Sequence, residues 1–153
     1  MEPTVDLEPE LQPQPPKRQR VVVLQPGHLL PGWGNLFWTG WLLIGGGFGA
    51  IWYSSRVTGL STWWLGPQTE ARIWFHPLPF IAPFTLSFLA LRITRHLPWY
   101  GMVGSVAAAA IAVGDLADQP RYAAVEFALA GAGLAISVAS LAGLLRADKG
   151  AAA

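Results

Sequence analysis

Cysteine is absent from these 153 residues, which excludes disulfides, thiolate metal sites, iron–sulfur clusters and cysteine nucleophiles and leaves the redox compartment undecided. Charge is scarce as well. Only 12% of the residues are Asp, Glu, Lys or Arg, about half the share of an ordinary soluble domain. Four of the nine acids, Glu2, Asp6, Glu8 and Glu10, crowd into the first ten residues ahead of Lys17, Arg18 and Arg20, so the stretch from Leu36 to Leu145 is poorer in charge than the average. Lysine is nearly missing, at two against eight arginines; with the abundant alanine and glycine, this composition suits a high-GC bacterial genome. The first apolar run begins far from the N-terminus and carries no small-residue cleavage pattern, so a removable secretory signal is not expected.

What is present is apolar: 52% of the chain, with a mean hydropathy of +0.38. Together with the charge deficit, this places the chain in lipid. Residues 1–30 mix acids, Gln and Pro with too little apolar content to offset the entropy of ordering, and are expected to form a disordered, partly polyproline-like tail. Four hydrophobic stretches follow within a membrane domain of residues 31–149, leaving 150–153 as a short C-terminal tail. The spans are expected at about 36–53, 79–95, 99–115 and 122–145. The first is uncharged, with Trp33, Trp38, Trp52 and Tyr53 near its ends as an aromatic belt requires. The second begins at Pro79 and runs on through Arg92 and Arg95, whose long stems reach toward head groups; Pro83 inside its first turns should kink it. The third is thin, with alanine from Ala107 to Ala110. The fourth has nineteen uncharged residues from Phe127 to Leu145 before Arg146, Asp148 and Lys149 end it. The fold class expected is therefore an all-α membrane protein, a four-transmembrane-helix bundle with a disordered N-terminal tail.

Lys17, Arg18, Arg20, Arg92, Arg95, Arg146 and Lys149 fall on one side of such a bundle, and Arg56, Arg72 and Arg121 on the other. The richer side is expected to be cytoplasmic, so both termini of this multi-pass cell-membrane protein face the cytoplasm. The outer side then holds the turn Asp115–Arg121 and a loop over residues 54–76. That loop carries Trp63, Trp64 and Trp74 among Gly59, Gly66 and Pro67. It is expected to lie along the membrane interface as an aromatic anchor, or, on a sharper reading, to cover the outer end of the bundle as a lid.

Small residues recur at four-residue spacing: Gly45 with Gly49, Gly104 with Ala108, Gly133 with Ser137. In lipid, where apolar burial does not drive helices together, such spacing lets backbones approach closely. Gly45, Gly49, Gly104 and Gly133 are therefore candidate packing positions, within the bundle or against another membrane protein. The run Gly45-Gly46-Gly47-Phe48-Gly49-Ala50 also fits a loose dinucleotide pattern, but that motif needs a preceding strand and a soluble βαβ unit.

Glu126 falls about one turn inside the fourth span. Helical spacing puts Ala130, Gly133, Ser137 and Ser140 on its face, a small and partly polar stripe expected to point inward. A tight hairpin at Asp118-Gln119-Pro120 brings Asp115 to nearly the same depth. Asp115, Glu126, Ser137 and Ser140 thus form the candidate intramembrane polar site. Such groups default to proton or cation handling, although pairing with Arg56, Arg72 or Arg121 is the plainer expectation. Two carboxylates make a poor metal site, and His28, His76 and His96 lie at three different depths, which excludes a bis-histidine haem. No nucleophile, base or phosphate loop comes together, so neither enzymatic activity nor a cofactor is expected. Three basic residues in the tail are a poor phosphate surface, so nucleic acid is not expected as a partner. The expected partners are the lipid bilayer and other membrane proteins or further copies of the chain. The function expected is that of an accessory or scaffold subunit of a membrane assembly, the alternative being a small oligomeric transporter or channel using Asp115 and Glu126.

Overall fold

Proline opens each of the four α-helices among the described residues. Pro31, Pro79, Pro98 and Pro120 each occupy the first or second helical position, and none of the four N-termini has a side-chain cap. A first-turn proline surrenders an N–H that has no intrahelical partner anyway, and its fixed φ suits the helix. The computed structural model describes residues 26–67, 74–92 and 95–144. Within them α1 covers Pro31–Thr58, α2 Leu78–Leu91, α3 Leu97–Asp115 and α4 Pro120–Ser140, followed by a 3₁₀ turn at Leu141–Gly143. No strand forms among the described residues; the one extended contact is an isolated bridge between Leu29 and Leu144.

Helix lengths follow at about 1.5 Å per residue: roughly 42 Å for α1, 21 Å for α2, 28 Å for α3 and 36 Å for α4 with its 3₁₀ turn, against a hydrocarbon core of about 30 Å. Leu97–Asp115 and Pro120–Gly143 are long and apolar enough to cross a membrane. α1 has the length, but its glycines and tryptophans lower its hydropathy; α2 is apolar but short. The second span expected from sequence continues to Arg95, whereas α2 stops at Leu91 with Arg92 as its C-cap. α2 runs as one helix through Pro83, whose ring is buried. α1 makes room for it: a Cβ on Gly45 would sit 3.3 Å from the Pro83 Cβ.

Each helix packs on its neighbours in a ring, α1 on α2, α2 on α3, α3 on α4 and α4 on α1. One end is tied by backbone hydrogen bonds from Leu30 N to Gly143 O at 3.0 Å and from His96 N to Gly27 O at 2.8 Å. The starts of α1 and α3 therefore lie beside the end of α4, and successive helices alternate in direction. Residues 26–30, placed in the tail by the sequence, take part in this clasp, with Leu29 buried; residues 1–25 lie outside the described residues.

The interior pairs large side chains with small ones. Phe37, Trp41, Ile44, Phe48 and Ile51 of α1 are buried at alternating four- and three-residue spacing. Against them α3 offers Gly101, Gly104, Ser105, Ala108 and Ala112, and α4 offers Ala123, Ala130, Gly133 and Ser137. The Trp41 ring lies where a Cβ on Gly104 or Gly133 would go. Outward, the pattern reverses: Val103 and Val106 are 70% and 69% exposed, and Leu43, Phe84, Phe88, Leu134 and Val138 also face out. Asp115, Glu126, Ser105, Ser137 and Ser140 are buried. Two acids and three serines thus share the interior with the aromatic ridge, while many large apolar groups face out.

Candidate functional site

At the end opposite the clasp, α1 stops at Gly59, which adopts a left-handed conformation (φ 74°) and returns its N–H to Ser55 O at 3.0 Å. Only glycine takes that conformation freely, and it turns the chain across the helix ends instead of away from them. The Ser55 hydroxyl donates to Leu60 O, which holds the redirected segment. Residues 62–66 then close a tight turn, with Leu65 N and Gly66 N donating to Thr62 O at 3.2 and 3.0 Å.

This turn is a plug. Thr62, Trp64 and Leu65 are buried among the helices, and Trp63 is half-buried. The Trp63 amide donates to Asp115 Oδ1 at 2.7 Å and its indole to Ile111 O at 2.8 Å. The Trp64 indole donates to Glu126 Oε1 at 2.9 Å. Gly114 makes the Trp63 contact possible, since a Cβ there would collide with the indole. Trp64 also meets the Phe80 ring edge-on at 6.2 Å, and Trp63 lies 6.1 Å from Phe75, so α2 and the turn before it brace the plug from the side. His76 Nε2 hydrogen-bonds Leu65 O at 3.1 Å. Trp74, by contrast, stands 90% exposed.

Asp115 is the last residue of α3 and Glu126 lies in the second turn of α4, joined by a short connection that Gln119 N closes onto Asp115 O at 2.8 Å. The hairpin brings the two carboxyl groups into direct interaction, and both residues are fully buried. Among the described residues an amide and an indole donate to them, where the sequence suggested Arg56, Arg72 or Arg121; Arg72 lies outside the described residues. Asp115 Oδ2 and Glu126 Oε2 are buried without a hydrogen-bond partner, as is Thr62 Oγ1 in the plug.

Ser137 and Ser140 share the inward face of Glu126 but not its site. Eleven residues separate Ser137 from Glu126, about 16 Å along the helix. Both hydroxyls bond their own helix, to Gly133 O and Ile136 O at 2.7 Å, as Ser105 does to Gly101 O. Such back-bonding satisfies a hydroxyl in an apolar interior without recruiting a neighbour. Of the four glycines singled out by spacing, Gly45, Gly104 and Gly133 lie against neighbouring helices, while nothing lies within 4 Å of a Cβ built on Gly49.

Trp41, not among the residues singled out by sequence, is fully buried with its indole N–H unpartnered. The signal was there: Phe37, Trp41, Ile44, Phe48 and Ile51 keep helical spacing, but among so many apolar neighbours the inner face of α1 does not stand out. Among the described residues no group of three His, Cys, Asp or Glu side chains gathers to hold a metal ion. What the site offers chemically is a carboxyl pair shielded from water beneath two tryptophans. Comparison with protein-family models, with curated proteins and with solved structures finds no match for this chain.

Proposed function

We propose that this chain is a four-span integral membrane protein, with the clasped end and both termini in the cytoplasm, serving as a non-catalytic subunit of a larger membrane assembly. One observation carries the membrane reading. All four helices turn large apolar side chains outward while the serines of α3 and α4, Asp115 and Glu126 are buried, the reverse of what water selects and the arrangement that lipid requires. The short α2 is accommodated because the apolar turn before it, with exposed Trp74 and Phe75, extends it toward one interface, and a short span thins the local bilayer at modest cost. The subunit reading is supported by small residues left open on outward faces: Cβ atoms built on Gly46, Gly49 and Gly131 meet nothing within 4 Å, which allows another helix to come close.

Extraction in mild detergent at native expression, followed by mass spectrometry, tests it. Stoichiometric co-purification of one or more membrane proteins is expected; recovery of the chain alone would overturn the subunit reading. A second reading, a small oligomeric transporter or channel, is favoured by the buried Asp115–Glu126 pair, since an ionisable pair within a span is costly unless used. Ion or proton flux in liposomes decides between them: flux abolished by joint Asp115→Asn and Glu126→Gln replacement supports the transporter, and absence of flux removes it.

A further inference from the structure

Four buried polar side-chain atoms among the described residues make no hydrogen bond: Trp41 Nε1, Thr62 Oγ1, Asp115 Oδ2 and Glu126 Oε2. The last three belong to one place. Thr62 is joined directly to the Trp63 amide, whose nitrogen lies 2.7 Å from Asp115 Oδ1. Covalent geometry then keeps the Thr62 hydroxyl within about 7 Å of that carboxyl in any rotamer. Thr62 is only 1% exposed, so its hydroxyl has no bulk water to turn to.

The two carboxyls interact with each other, and the Trp63 amide and Trp64 indole each occupy one oxygen of the pair. Two full negative charges with a bare oxygen apiece are expensive in such surroundings. One proton removes the difficulty. Placed on one carboxyl, it donates to the facing oxygen of the other, pairs both unpartnered atoms at once and leaves a single charge held by two N–H donors.

We propose that Asp115 and Glu126 form a binding site for one exchangeable proton, closed from the aqueous phase by the turn Thr62–Gly66. Binding converts one carboxylate O⁻ and a proton from water into a carboxyl O–H, and release is the reverse; no other bond changes. When the proton leaves, the Thr62 hydroxyl rotates to donate to the bared oxygen, which makes Thr62 a positioning residue for the ionised state. Gly59 at φ 74° and Gly66 at φ 67° bound the segment that must lift for exchange. The titratable and charged groups of the surrounding elements are Asp118, whose charge acts on Asp115, Arg56 at the end of α1 and Arg121 at the start of α4. Tyr122 shares hydrogen bonds with Ser54 and Thr58, and His76 bonds the plug at Leu65 O. Site occupancy does not depend on whether the chain is a subunit or a transporter.

Infrared spectroscopy of the full chain in lipid nanodiscs, in water and in deuterium oxide, tests this. A protonated-carboxyl C=O band equivalent to one group per chain is expected at neutral pH, because exposed acids are ionised there and do not contribute. The band should vanish in Glu126→Gln and in Asp115→Asn, where an amide N–H takes the place of the shared proton. In Thr62→Val the band should survive but titrate away at higher pH, because the ionised state has lost a donor; an unmoved midpoint would overturn the role of Thr62. If the variants fail to assemble, the wild-type band and its loss on raising pH still decide the proposal. Absence of the band at neutral pH overturns it, and absence together with thermal stabilisation by sodium or calcium chloride would assign the pair to a metal cation instead.

Discussion

Replacing Trp64 by Phe isolates the bond that anchors the plug. Phe keeps an aromatic ring facing Phe80 but removes the indole N–H that reaches Glu126 Oε1 at 2.9 Å. Loss of a buried hydrogen bond to a carboxyl costs about 1.5–3 kcal/mol, and the smaller ring leaves a void adding on the order of 1 kcal/mol. At 1.4 kcal/mol per tenfold, the sum of about 2.5–4 kcal/mol raises the population with the turn lifted by roughly 10²–10³. A single cysteine reads this population cleanly, since the native chain has none. Thr62→Cys buries the thiol in the plug, and maleimide labelling in the fast-reclosing regime scales with the open fraction. The labelling rate should rise by that factor in Trp64→Phe, while a cysteine at Val57, 67% exposed, should label at an unchanged rate. An unchanged rate at position 62 would refute the anchoring role of Trp64. A parallel rise at position 57 would show that the whole helical body loosens and that the turn does not open as a unit.

Other outcomes follow from the same geometry. Gly133→Leu drives a side chain into Trp41 and Ser105, whose atoms lie 2.9 and 3.0 Å from the added Cβ; overpacking should cost about 1–3 kcal/mol and lower the melting temperature in detergent. Gly49→Leu, which meets nothing within 4 Å, should leave melting unchanged and instead reduce co-purification of partners if α1 docks there. Tyr122→Phe removes the bond to Thr58 Oγ1 at 3.0 Å on an exposed surface, and should cost under about 1 kcal/mol, visible as faster amide exchange over residues 55–58. In intact cells, cysteines at residues 12 and 151 should resist a membrane-impermeant reagent while one at Trp74 reacts; labelling at residue 151 but not at 12 would leave an odd number of spans.

Much of this was legible from helical spacing. Helical spacing alone puts Glu126, Ala130, Gly133, Ser137 and Ser140 on one face, and all five are buried. The Asp118-Gln119-Pro120 turn sets Asp115 beside Glu126 without any knowledge of the other helices. What periodicity does not carry is the choice between two places equally suited to tryptophan. An indole needs an apolar bed and one hydrogen-bond partner, and the bilayer interface offers both. Trp63 and Trp64 found them inside, because Gly59 turns the chain inward and Gly114 clears a shelf, a coincidence of two positions 55 residues apart in the numbering. The same non-local matching separates Gly45 from Gly49. Their spacing is identical, yet only Gly45 faces Pro83. Arginine partners for the acids were inferred from charge alone, whereas among the described residues one oxygen of each acid takes a neutral N–H donor.

The clasp of Leu29 on Leu144 bears on the order in which the chain takes shape during synthesis. α1 emerges first, carrying the ridge of Phe37, Trp41 and Phe48, but the glycines and alanines that receive the ridge lie on α3 and α4. Leu30 must wait for Gly143, more than a hundred residues downstream, before its amide is paired. Contacts of such sequence separation form late. The nascent first helix therefore carries an uncovered aromatic ridge and an unpaired Leu30 amide until α3 and α4 have been made. For that interval the ridge is an adhesive surface for any neighbouring helix.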